Sequence, residues 1–311
     1  MKPEKTFDLV ILGGGIAGMT AAIYASRGGL KTAIVEPDVC GGLVNYTHIV
    51  ENFPSYISIS GMELMQRVRD QLDHLNVTIE EVAEITKLDL VSEVKEIETD
   101  GFLYRCGAII LAVGRKPVQL EIKSKCEQIH YCSVCDGPAY RGKRVLVVGG
   151  GNSGFDEALY LVSMGVKEIL LIEQMNQFFA SRIVQDELFS CRQVNYKLST
   201  KIKNINHDDG GIKSVLLENV ETGQSECFET DGIFVFMGQK PNTDFLTNVI
   251  DLDKQGYIEV NEKMETNLKG VYAAGDVTPK MYRQITTAMS DGTIASLSVV
   301  KYLSSFTCLR S

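Results

Sequence analysis

Two cysteines lie three positions apart in the segment Cys132-Ser133-Val134-Cys135-Asp136. Thiols at this spacing can close a small disulfide with limited rearrangement, which is the geometry used for dithiol exchange. Asp136 follows the second cysteine directly, so its carboxyl group is placed to give or take the proton of a leaving thiolate. The segment therefore predicts a redox-active pair, with Cys132, Cys135 and Asp136 as the catalytic residues.

Zinc is the competing interpretation of this cysteine pair. A zinc site needs a second C-x-x-C or a histidine pair at ligand spacing, and neither His130 nor any other histidine shows that spacing. The remaining cysteines are isolated in the sequence, and a free cysteine is commonly a small buried hydrophobe. We therefore expect core packing for Cys40, Cys106, Cys126, Cys191, Cys227 and Cys308.

Composition limits the class of protein. A chain of 311 residues has room for about two domains. Its formal net charge of −9 argues against a nucleic-acid binder held by phosphate neutralisation, and 44% hydrophobic with 23% charged residues is a globular composition. No apolar run approaches the roughly 18 residues of a membrane span, and Asp8 interrupts any secretion signal. We expect a cytoplasmic protein that uses neither nucleic acid nor a membrane as its partner.

A glycine-rich motif occurs twice, in residues 7–18 and in residues 143–154. In each copy a short apolar run enters G-x-G-x-x-G, and a helical pattern and a second strand ending in Glu36 or Glu173 follow. This order is typical of dinucleotide binding, because the glycines let the backbone approach a pyrophosphate and the acid accepts hydrogen bonds from ribose hydroxyls. The first copy predicts a bound dinucleotide. For the second, a tight corner between strand and helix without a ligand is a substantial alternative.

The order of patterns predicts an α/β fold with two Rossmann-like dinucleotide-binding domains, each of three layers, the second inserted in the first. Residues 115–117 form the connection out of the first domain and residues 238–242 the connection back. The predicted domains are residues 1–115 with 242–311, and residues 116–241 carrying the cysteine pair. Strands are expected at residues 99–111, 234–237 and 270–274, and a helix at residues 285–302.

The sequence resembles the low-molecular-weight thioredoxin reductases over nearly its whole length. The matching stretches are Cys40-Gly41-Gly42-Leu43, Val50–Pro54, Cys132–Gly137, Gly238–Asn242 and Gly270–Ile285, the last being similar to the FAD signature of that family. The resemblance implies a flavoprotein homodimer that reduces thioredoxin through FAD and the cysteine pair, with Cys135 facing the flavin. It also implies that the inserted domain rotates about the two connections.

The resemblance further implies which residues contact FAD. The glycines of the first turn would surround the pyrophosphate, Glu36 would bind the adenosine ribose, and residues near Asn52 and Arg283 would lie at the flavin. The implied FAD-binding residues are Gly13, Gly15, Ile16, Ala17, Gly18, Glu36, Pro37, Gly41, Gly42, Leu43, Asn52, Val82, Gly114, Gly275, Asp276, Arg283, Gln284 and Ile285.

The sequence departs from the family after the second strand of the inserted domain. NADPH-using members carry a His-Arg-Arg cluster and a further Arg there, which pair with the 2′-phosphate. Here residues 172–179 read I-E-Q-M-N-Q-F-F, and the carboxylate of Glu173 would repel a 2′-phosphate. The second turn also ends in Gly154 followed by Phe155, where the family usually has Ala. These differences argue against NADPH as a cofactor.

In lacking these cationic residues, the sequence resembles the ferredoxin-dependent flavin thioredoxin reductases, so reduced ferredoxin is the predicted electron donor. A plant-type ferredoxin and a thioredoxin differ by about 130 mV, or roughly 6 kcal/mol for two electrons. Two basic clusters are either a docking surface for acidic ferredoxin or an ordinary solvated surface: Arg141, Lys143 and Arg144, and Lys197, Lys201 and Lys203.

Other functions stay open at this point. Glu173 can instead select NADH through its ribose diol, which would make the protein a nicotinamide-dependent thioredoxin reductase. A flavin redox sensor or electron-transfer module without thioredoxin turnover is an alternative of another class. A ferredoxin–NADP reductase is disfavoured, because such enzymes usually lack the C-x-x-C pair.

Overall fold

The computed structural model describes residues 2–122, 126–208 and 211–307, and Cys308 lies outside them. The chain forms two compact units: unit 1 comprises Met1–Lys116 with Lys240–Ser311, and unit 2 comprises Pro117–Gln239. Both units combine helices with sheets, as the predicted α/β class requires. In the described residues, no helix has the length and apolar character needed to cross a membrane.

Strands and helices alternate in the first part of each unit, and a run of consecutive strands follows. The strands are β1 (Glu4–Leu12), β2 (Thr32–Val35), β3 (Thr78–Glu80), β4 (Ile85–Asp89), β5 (Lys95–Thr99), β6 (Leu103–Leu111), β7 (Arg115–Pro117), β8 (Ile129–His130), β9 (Arg144–Val148), β10 (Glu168–Ile172), β11 (Val194–Lys197), β12 (Thr200–Asp208), β13 (Gly211–Asn219), β14 (Ser225–Glu229), β15 (Gly232–Val235), β16 (Gln239–Pro241) and β17 (Val271–Ala273). The helices are α1 (Ile16–Arg27), α2 (Gly61–His74), α3 (Ser133–Asp136), α4 (Asn152–Ser163), α5 (Arg182–Phe189) and α6 (Ile285–Thr307), with 3₁₀ helices at Gly42–Tyr46, Gly137–Tyr140 and Asp244–Leu246.

Unit 1 is built on a sheet with the strand order β3-β2-β1-β6-β5-β4, and β17 also pairs with β6. β1 runs parallel to both β2 and β6, and its apolar residues are buried on both faces, since Leu9 and Ile11 join one core cluster and Val10 and Leu12 the other. Such continuous apolar strands are expected where helices and loops cover both sides of a parallel sheet.

Unit 2 has a parallel sheet with the order β11-β10-β9-β15-β8. One face packs on residues of α4 and α5, and the other packs on the antiparallel sheet β12-β13-β14. The unit thus has a helix layer and two sheet layers. The predicted fold class of two Rossmann-like α/β domains is confirmed.

Some element bounds differ from the sequence prediction. The helical patterns of the sequence begin at residues 20 and 155, whereas α1 begins at Ile16 and α4 at Asn152, because the glycine before each is itself the N-cap residue. The stretch predicted as one strand from residue 99 is a hairpin instead: the Thr99 N–H donates to the Phe102 carbonyl at 2.8 Å, so β6 begins only at Leu103.

Candidate functional site

The first glycine turn leaves open space in front of α1. A Cβ at Gly13 would overlap the Ala112 carbonyl, and one at Gly18 would overlap the Gly13 carbonyl, whereas a Cβ at Gly15 meets nothing within 4 Å. Gly13 has a φ of +108°, a conformation that only glycine adopts readily. The first N–H groups of α1, at Ile16 and the residues after it, have no acceptor within the helix. The turn is therefore a cradle that can receive an anionic group.

Glu36 is fixed at the end of β2 by two backbone donors. Its Oε2 accepts the Gly14 N–H at 2.6 Å and its Oε1 accepts the Asp38 N–H at 2.9 Å. Pro37 follows it on the surface. Each carboxylate oxygen keeps a free lone pair, so the acid is oriented to accept hydroxyl groups as well.

The segment after β2 returns to the cradle. The Gly41 N–H donates to the Gly14 carbonyl at 2.8 Å, and a Cβ on Gly42 would lie 3.1 Å from the Gly15 Cα. Leu43 follows in the 3₁₀ helix and is half-buried.

Val82 lies on a neighbouring loop, where its N–H donates to the Asp38 carbonyl at 3.2 Å. It is exposed and has a φ of +55°, which is strained for a β-branched residue and frequent at binding sites.

Several buried polar atoms of unit 1 have no hydrogen-bond partner within the described chain, and Oδ1 of Asp276 and Nε of Arg283 are two of them. Burial raises the pKa of Asp276, while Lys280, Arg115 and Arg283 act against this. An orphaned buried carboxylate oxygen is costly, so a ligand group is expected to complete it.

The neighbouring residues also lie at this edge of the sheet. A Cβ on Gly275 would overlap the Ala17 side chain, which shows how closely the end of β17 approaches α1. Asn52 donates to Gln284 at 3.1 Å across 232 positions of sequence, and Ile285 begins α6. Gly114, with a φ of +59°, has open space where a Cβ would lie. The open cradle, the oriented acid and the orphaned atoms together fit FAD.

The cysteine pair lies in unit 2. Cys132 and Cys135 form a disulfide with a Cα–Cα distance of 5.5 Å. Cys132 caps the short helix α3, and its sulfur accepts the Cys135 N–H at 3.1 Å. Cys135 is exposed and Cys132 is half-buried. An N–H directed at the Cys132 sulfur favours its thiolate form once the bond is reduced.

Three side chains around α3 form a hydrogen-bonded chain. His130 Nδ1 lies 3.1 Å from Asp136 Oδ2, and His130 Nε2 lies 2.7 Å from the Tyr140 hydroxyl. Burial lowers the pKa of His130, against the influence of Asp136. Sequence reasoning considered His130 only as a zinc ligand and did not single out Tyr140. The signal available was their position, one on each side of the C-x-x-C-D segment.

A fourth side chain accepts a hydrogen bond from the first residue of α3. Glu157 of α4 accepts the Ser133 N–H at 3.2 Å, and burial raises the pKa of this carboxyl group although the N–H acts against it. This contact could not be predicted from the sequence, because Glu157 lies in an ordinary helical pattern.

The second glycine turn repeats the first. A Cβ at Gly149 would overlap the Phe236 carbonyl, and a Cβ at Gly151 meets nothing within 4 Å. Glu173 accepts the Gly150 N–H at 2.7 Å and the Met175 N–H at 2.9 Å, the same pair of bonds that Glu36 makes.

The side chains beside this second turn are apolar or amide. The Gly150 carbonyl accepts the Phe179 N–H at 2.8 Å, and Phe178 packs in an aromatic cluster with Phe155 and Phe189. Residues 173–181 contain no Lys or Arg. No cationic clamp for a 2′-phosphate exists in this stretch.

The isolated cysteines of the described chain differ in burial. Cys40 and Cys106 are buried, and burial raises the pKa of each thiol to about 12, so both are inert packing residues. Cys126 and Cys191 are half-buried. The expectation of core packing is wrong for Cys227, which is exposed because the alternation of β14 turns Phe228 inward instead.

Most of the basic residues singled out in the sequence are paired with acids. Arg144 contacts Glu229 at 2.7 Å and Lys197 contacts Glu226 at 2.6 Å. Glu218 lies 3.1 Å from Lys203 and 3.6 Å from Lys201. In the described chain, no carboxylate pairs with Arg141 or Lys143. Within residues 2–122, 126–208 and 211–307, no group of three His, Cys, Asp or Glu side chains is arranged to hold a metal ion.

A redox disulfide on one Rossmann-like unit and a dinucleotide cradle in the other define an oxidoreductase that acts on disulfides with a flavin. The sequence profile of the pyridine nucleotide-disulphide oxidoreductase family matches residues 7–292. The chain belongs to this family.

Relatives of known sequence and structure agree with the family. The chain is 42% identical over 307 residues to a protein of Clostridium pasteurianum described as a 34.2 kDa protein in the rubredoxin operon, covering 97% of this chain and 99% of the relative. It is 35% identical over 309 residues to the thioredoxin reductase of Bacillus subtilis, covering 97% and 96%. The crystal structure of Lactococcus lactis thioredoxin reductase matches with a TM-score of 0.88 at 35% identity, covering 96% of this chain and 99% of that one.

Proposed function

We propose that this chain is an FAD-dependent thioredoxin reductase that takes its electrons from reduced ferredoxin. The observation that carries the disulfide chemistry is the Cys132–Cys135 bond, which has one sulfur exposed and an acid next to it in sequence. Thioredoxin is the proposed substrate because relatives from Bacillus subtilis and Listeria innocua, 35% and 33% identical, carry the name thioredoxin reductase. A homodimer in the cytoplasm is part of the same proposal.

In unit 1 the chain's own residues would bind and orient FAD. The N–H groups at the start of α1 would bind the pyrophosphate, Glu36 would accept the ribose hydroxyls, and the cofactor would complete the buried polar groups of Asp276 and Arg283. When bound, FAD supplies the two electrons that reduce the disulfide.

In unit 2 the chain handles the protons of exchange. Reduction of the disulfide leaves one thiolate, which the Cys135 N–H stabilises if it forms on Cys132. The thiolate attacks the disulfide of the partner, a mixed disulfide forms, and the second cysteine resolves it. Asp136 gives a proton to the leaving thiolate.

The proposal for the donor depends on the side chains next to Glu173. A 2′-phosphate requires cations, and the loop offers Glu173, Gln174 and Met175 where a clamp would stand. Ferredoxin needs no nucleotide site. Arg141 and Lys143 are exposed, and they would attract an acidic protein.

The donor is tested by anaerobic mixing of the purified flavoprotein with NADPH, NADH or reduced ferredoxin, with the flavin absorbance as the readout. We expect rapid bleaching by ferredoxin alone. Rapid bleaching by micromolar NADPH or NADH would refute ferredoxin as the required donor.

The substrate is tested with Cys132→Ser and Cys135→Ser. Each variant should keep its FAD and lose thioredoxin turnover entirely, because one cysteine alone cannot both form the mixed disulfide and resolve it. Cys227→Ser, which removes an exposed cysteine outside the pair, is the matched control and should turn over thioredoxin at the wild-type rate. Full activity in either pair variant would overturn the assignment.

A second candidate is an NADH-dependent reductase, and one observation favours it. Glu173 makes the same two backbone bonds as Glu36, so its carboxylate is oriented for a ribose diol without a 2′-phosphate. Bleaching by NADH but not by NADPH is the outcome that would select this candidate.

A further inference from the structure

The reaction described so far uses Asp136 but not His130 and Tyr140, which form a hydrogen-bonded chain with it. His130 ends β8, whose register with β15 pairs it with Phe234, and the two rings lie 5.1 Å apart. The His130 side chain is 14% exposed, whereas that of Asp136 is 39% exposed. The chain therefore runs from a buried ring to a carboxylate that solvent and substrate can reach.

The direction of the hydrogen bonds follows from the groups involved. Burial, with Asp136 adding to it, raises the pKa of Tyr140 to about 12, so its hydroxyl keeps its proton and donates to Nε2 of neutral His130. The hydrogen of the neutral ring then lies on Nδ1 and is donated to Asp136 Oδ2.

The groups that face His130 come from three elements. α3 presents the carboxylate of Asp136, the 3₁₀ helix presents the Tyr140 hydroxyl, and β15 presents the apolar ring of Phe234. Burial lowers the pKa of His130 and Asp136 opposes this, so the ring takes up a second proton at lower pH than an unperturbed imidazole does.

We propose that His130 is a positioning residue that fixes the carboxylate of Asp136 and supplies the proton which Asp136 passes to the thiolate leaving a bound disulfide. The inference rests on the proposed disulfide reduction. It does not depend on the electron donor or on thioredoxin being the natural substrate.

The protons balance over one exchange. Reduced protein holds one thiolate, one thiol and one proton on the pair of His130 and Asp136. The thiolate sulfur bonds to one substrate sulfur, the substrate S–S bond breaks, and the leaving thiolate takes the proton of the pair. The second cysteine then loses its proton to the pair and re-forms the Cys132–Cys135 bond, and this proton passes to the second leaving thiolate.

The test compares two disulfides with different leaving groups. Bis(2-hydroxyethyl) disulfide releases a basic alkyl thiolate that needs a proton, whereas 5,5′-dithiobis(2-nitrobenzoate) releases an aromatic thiolate that leaves without one. The FAD-loaded protein is reduced with dithiothreitol, freed of reductant under nitrogen and mixed with each probe. Acid quench, alkylation and peptide mass then report how fast the Cys132–Cys135 bond re-forms, independently of the other cysteines.

His130→Gln should slow exchange with the alkyl disulfide by about tenfold near pH 6, a part of the 10²–10⁴ that general acid–base catalysis contributes. Exchange with the aromatic disulfide should not change. The rate with the alkyl disulfide divided by the rate with the aromatic disulfide does not depend on the fraction of thiolate, because that fraction affects both rates equally. In the wild type this ratio should fall as pH rises through the His130 pKa, and in His130→Gln it should be independent of pH. His207→Gln, at an exposed histidine of the same unit, is the matched control.

A double variant separates positioning from packing. In an Asp136→Asn background, His130→Gln should have no further effect on the alkyl disulfide, because the two residues act as one unit. Equal slowing of both probes by His130→Gln, or a pH-independent loss, would overturn the proposal in favour of a structural role. Unchanged rates with both probes would overturn it as well. If the small disulfides behave as expected but thioredoxin is not reduced, the substrate assignment fails and the inference stands.

Discussion

The two glycine turns of this chain have nearly the same backbone and differ in what surrounds it. In both, the last glycine of the motif, Gly18 or Gly154, approaches a carbonyl too closely for a side chain. The acid at the end of the second strand, Glu36 or Glu173, accepts two N–H groups. Around the first turn lie small residues and two orphaned polar atoms, Asp276 Oδ1 and Arg283 Nε. Around the second lie Phe178, Phe179 and Met175.

This difference shows that the glycines of a Rossmann turn are required by the fold and do not by themselves show that a ligand binds. The glycines satisfy the close packing of strand on helix in either unit. The ligand is decided by the side chains that complete the site, and in the described residues the first turn has an unpartnered buried carboxylate oxygen, Asp276 Oδ1, close to it. Changes made in pairs, one in each turn, test whether the two turns have really diverged in function.

The largest expected effect comes from Gly15→Val compared with Gly151→Val. A Cβ at either position meets no protein atom within 4 Å, and both glycines have negative φ, so we expect neither variant to unfold the chain. Valine at residue 15 would fill the space of the pyrophosphate and should abolish FAD binding, measured by flavin absorbance of the purified protein.

Gly151→Val should keep its FAD and its ferredoxin-driven turnover. Loss of ferredoxin-driven turnover in this variant would mean that the second turn does hold a ligand needed for activity. Loss of NADH-driven turnover alone would instead favour the nicotinamide candidate.

A smaller effect is expected from Glu36→Gln and Glu173→Gln. In each, an amide NH₂ must face one of the two N–H groups that the carboxylate accepts, so the local disturbance is matched. Glu36→Gln should weaken FAD binding by about tenfold or more, the range of one lost hydrogen bond to a charged group. The measurement is titration of the apoprotein with FAD.

Glu173→Gln should leave both FAD affinity and ferredoxin-driven turnover at wild-type values. A tenfold loss of turnover in Glu173→Gln would contradict the ferredoxin proposal and assign the second acid a ribose.

The sequence predicts the parts of the site that depend on short-range order. Gly13, Gly15 and Glu36 follow from strand, turn and helix spacing, and Cys132 with Cys135 follows from the C-x-x-C pair. Only the family resemblance placed Asn52 and Gln284 near the same cofactor, and their contact was not predicted, since 232 residues separate them and no periodicity connects them.

Other contacts could not be predicted from the sequence because they depend on strand register and on the direction in which the chain turns. His130 meets Asp136 and Tyr140 only once β8 has paired with β15 and the chain has turned through α3. The exposure of Cys227 depends on which face of β14 packs on the core, and a one-residue change of register would reverse it.

The smallest expected effect concerns the helices that follow the two turns. α1 has fully buried Ala21 six residues after its capping glycine, whereas α4 has Glu157 at the same place, holding the Ser133 N–H of the redox helix. Because burial raises the pKa of Glu157, its folded pKa lies above its unfolded one. Its contribution to stability is therefore present at low pH and is lost as pH rises through the folded pKa.

Glu157→Gln keeps an acceptor for Ser133 without the charge. At neutral pH its free energy of unfolding, measured by denaturant titration, should therefore exceed that of the wild type by up to about 1 kcal/mol. The difference should vanish in acid, where the wild-type carboxyl group is protonated. Glu127→Gln, at an exposed acid of the same unit, should show no such pH-dependent difference. A Glu157→Gln variant that is less stable than the wild type at neutral pH would mean that the ionised carboxylate is needed to hold the redox helix.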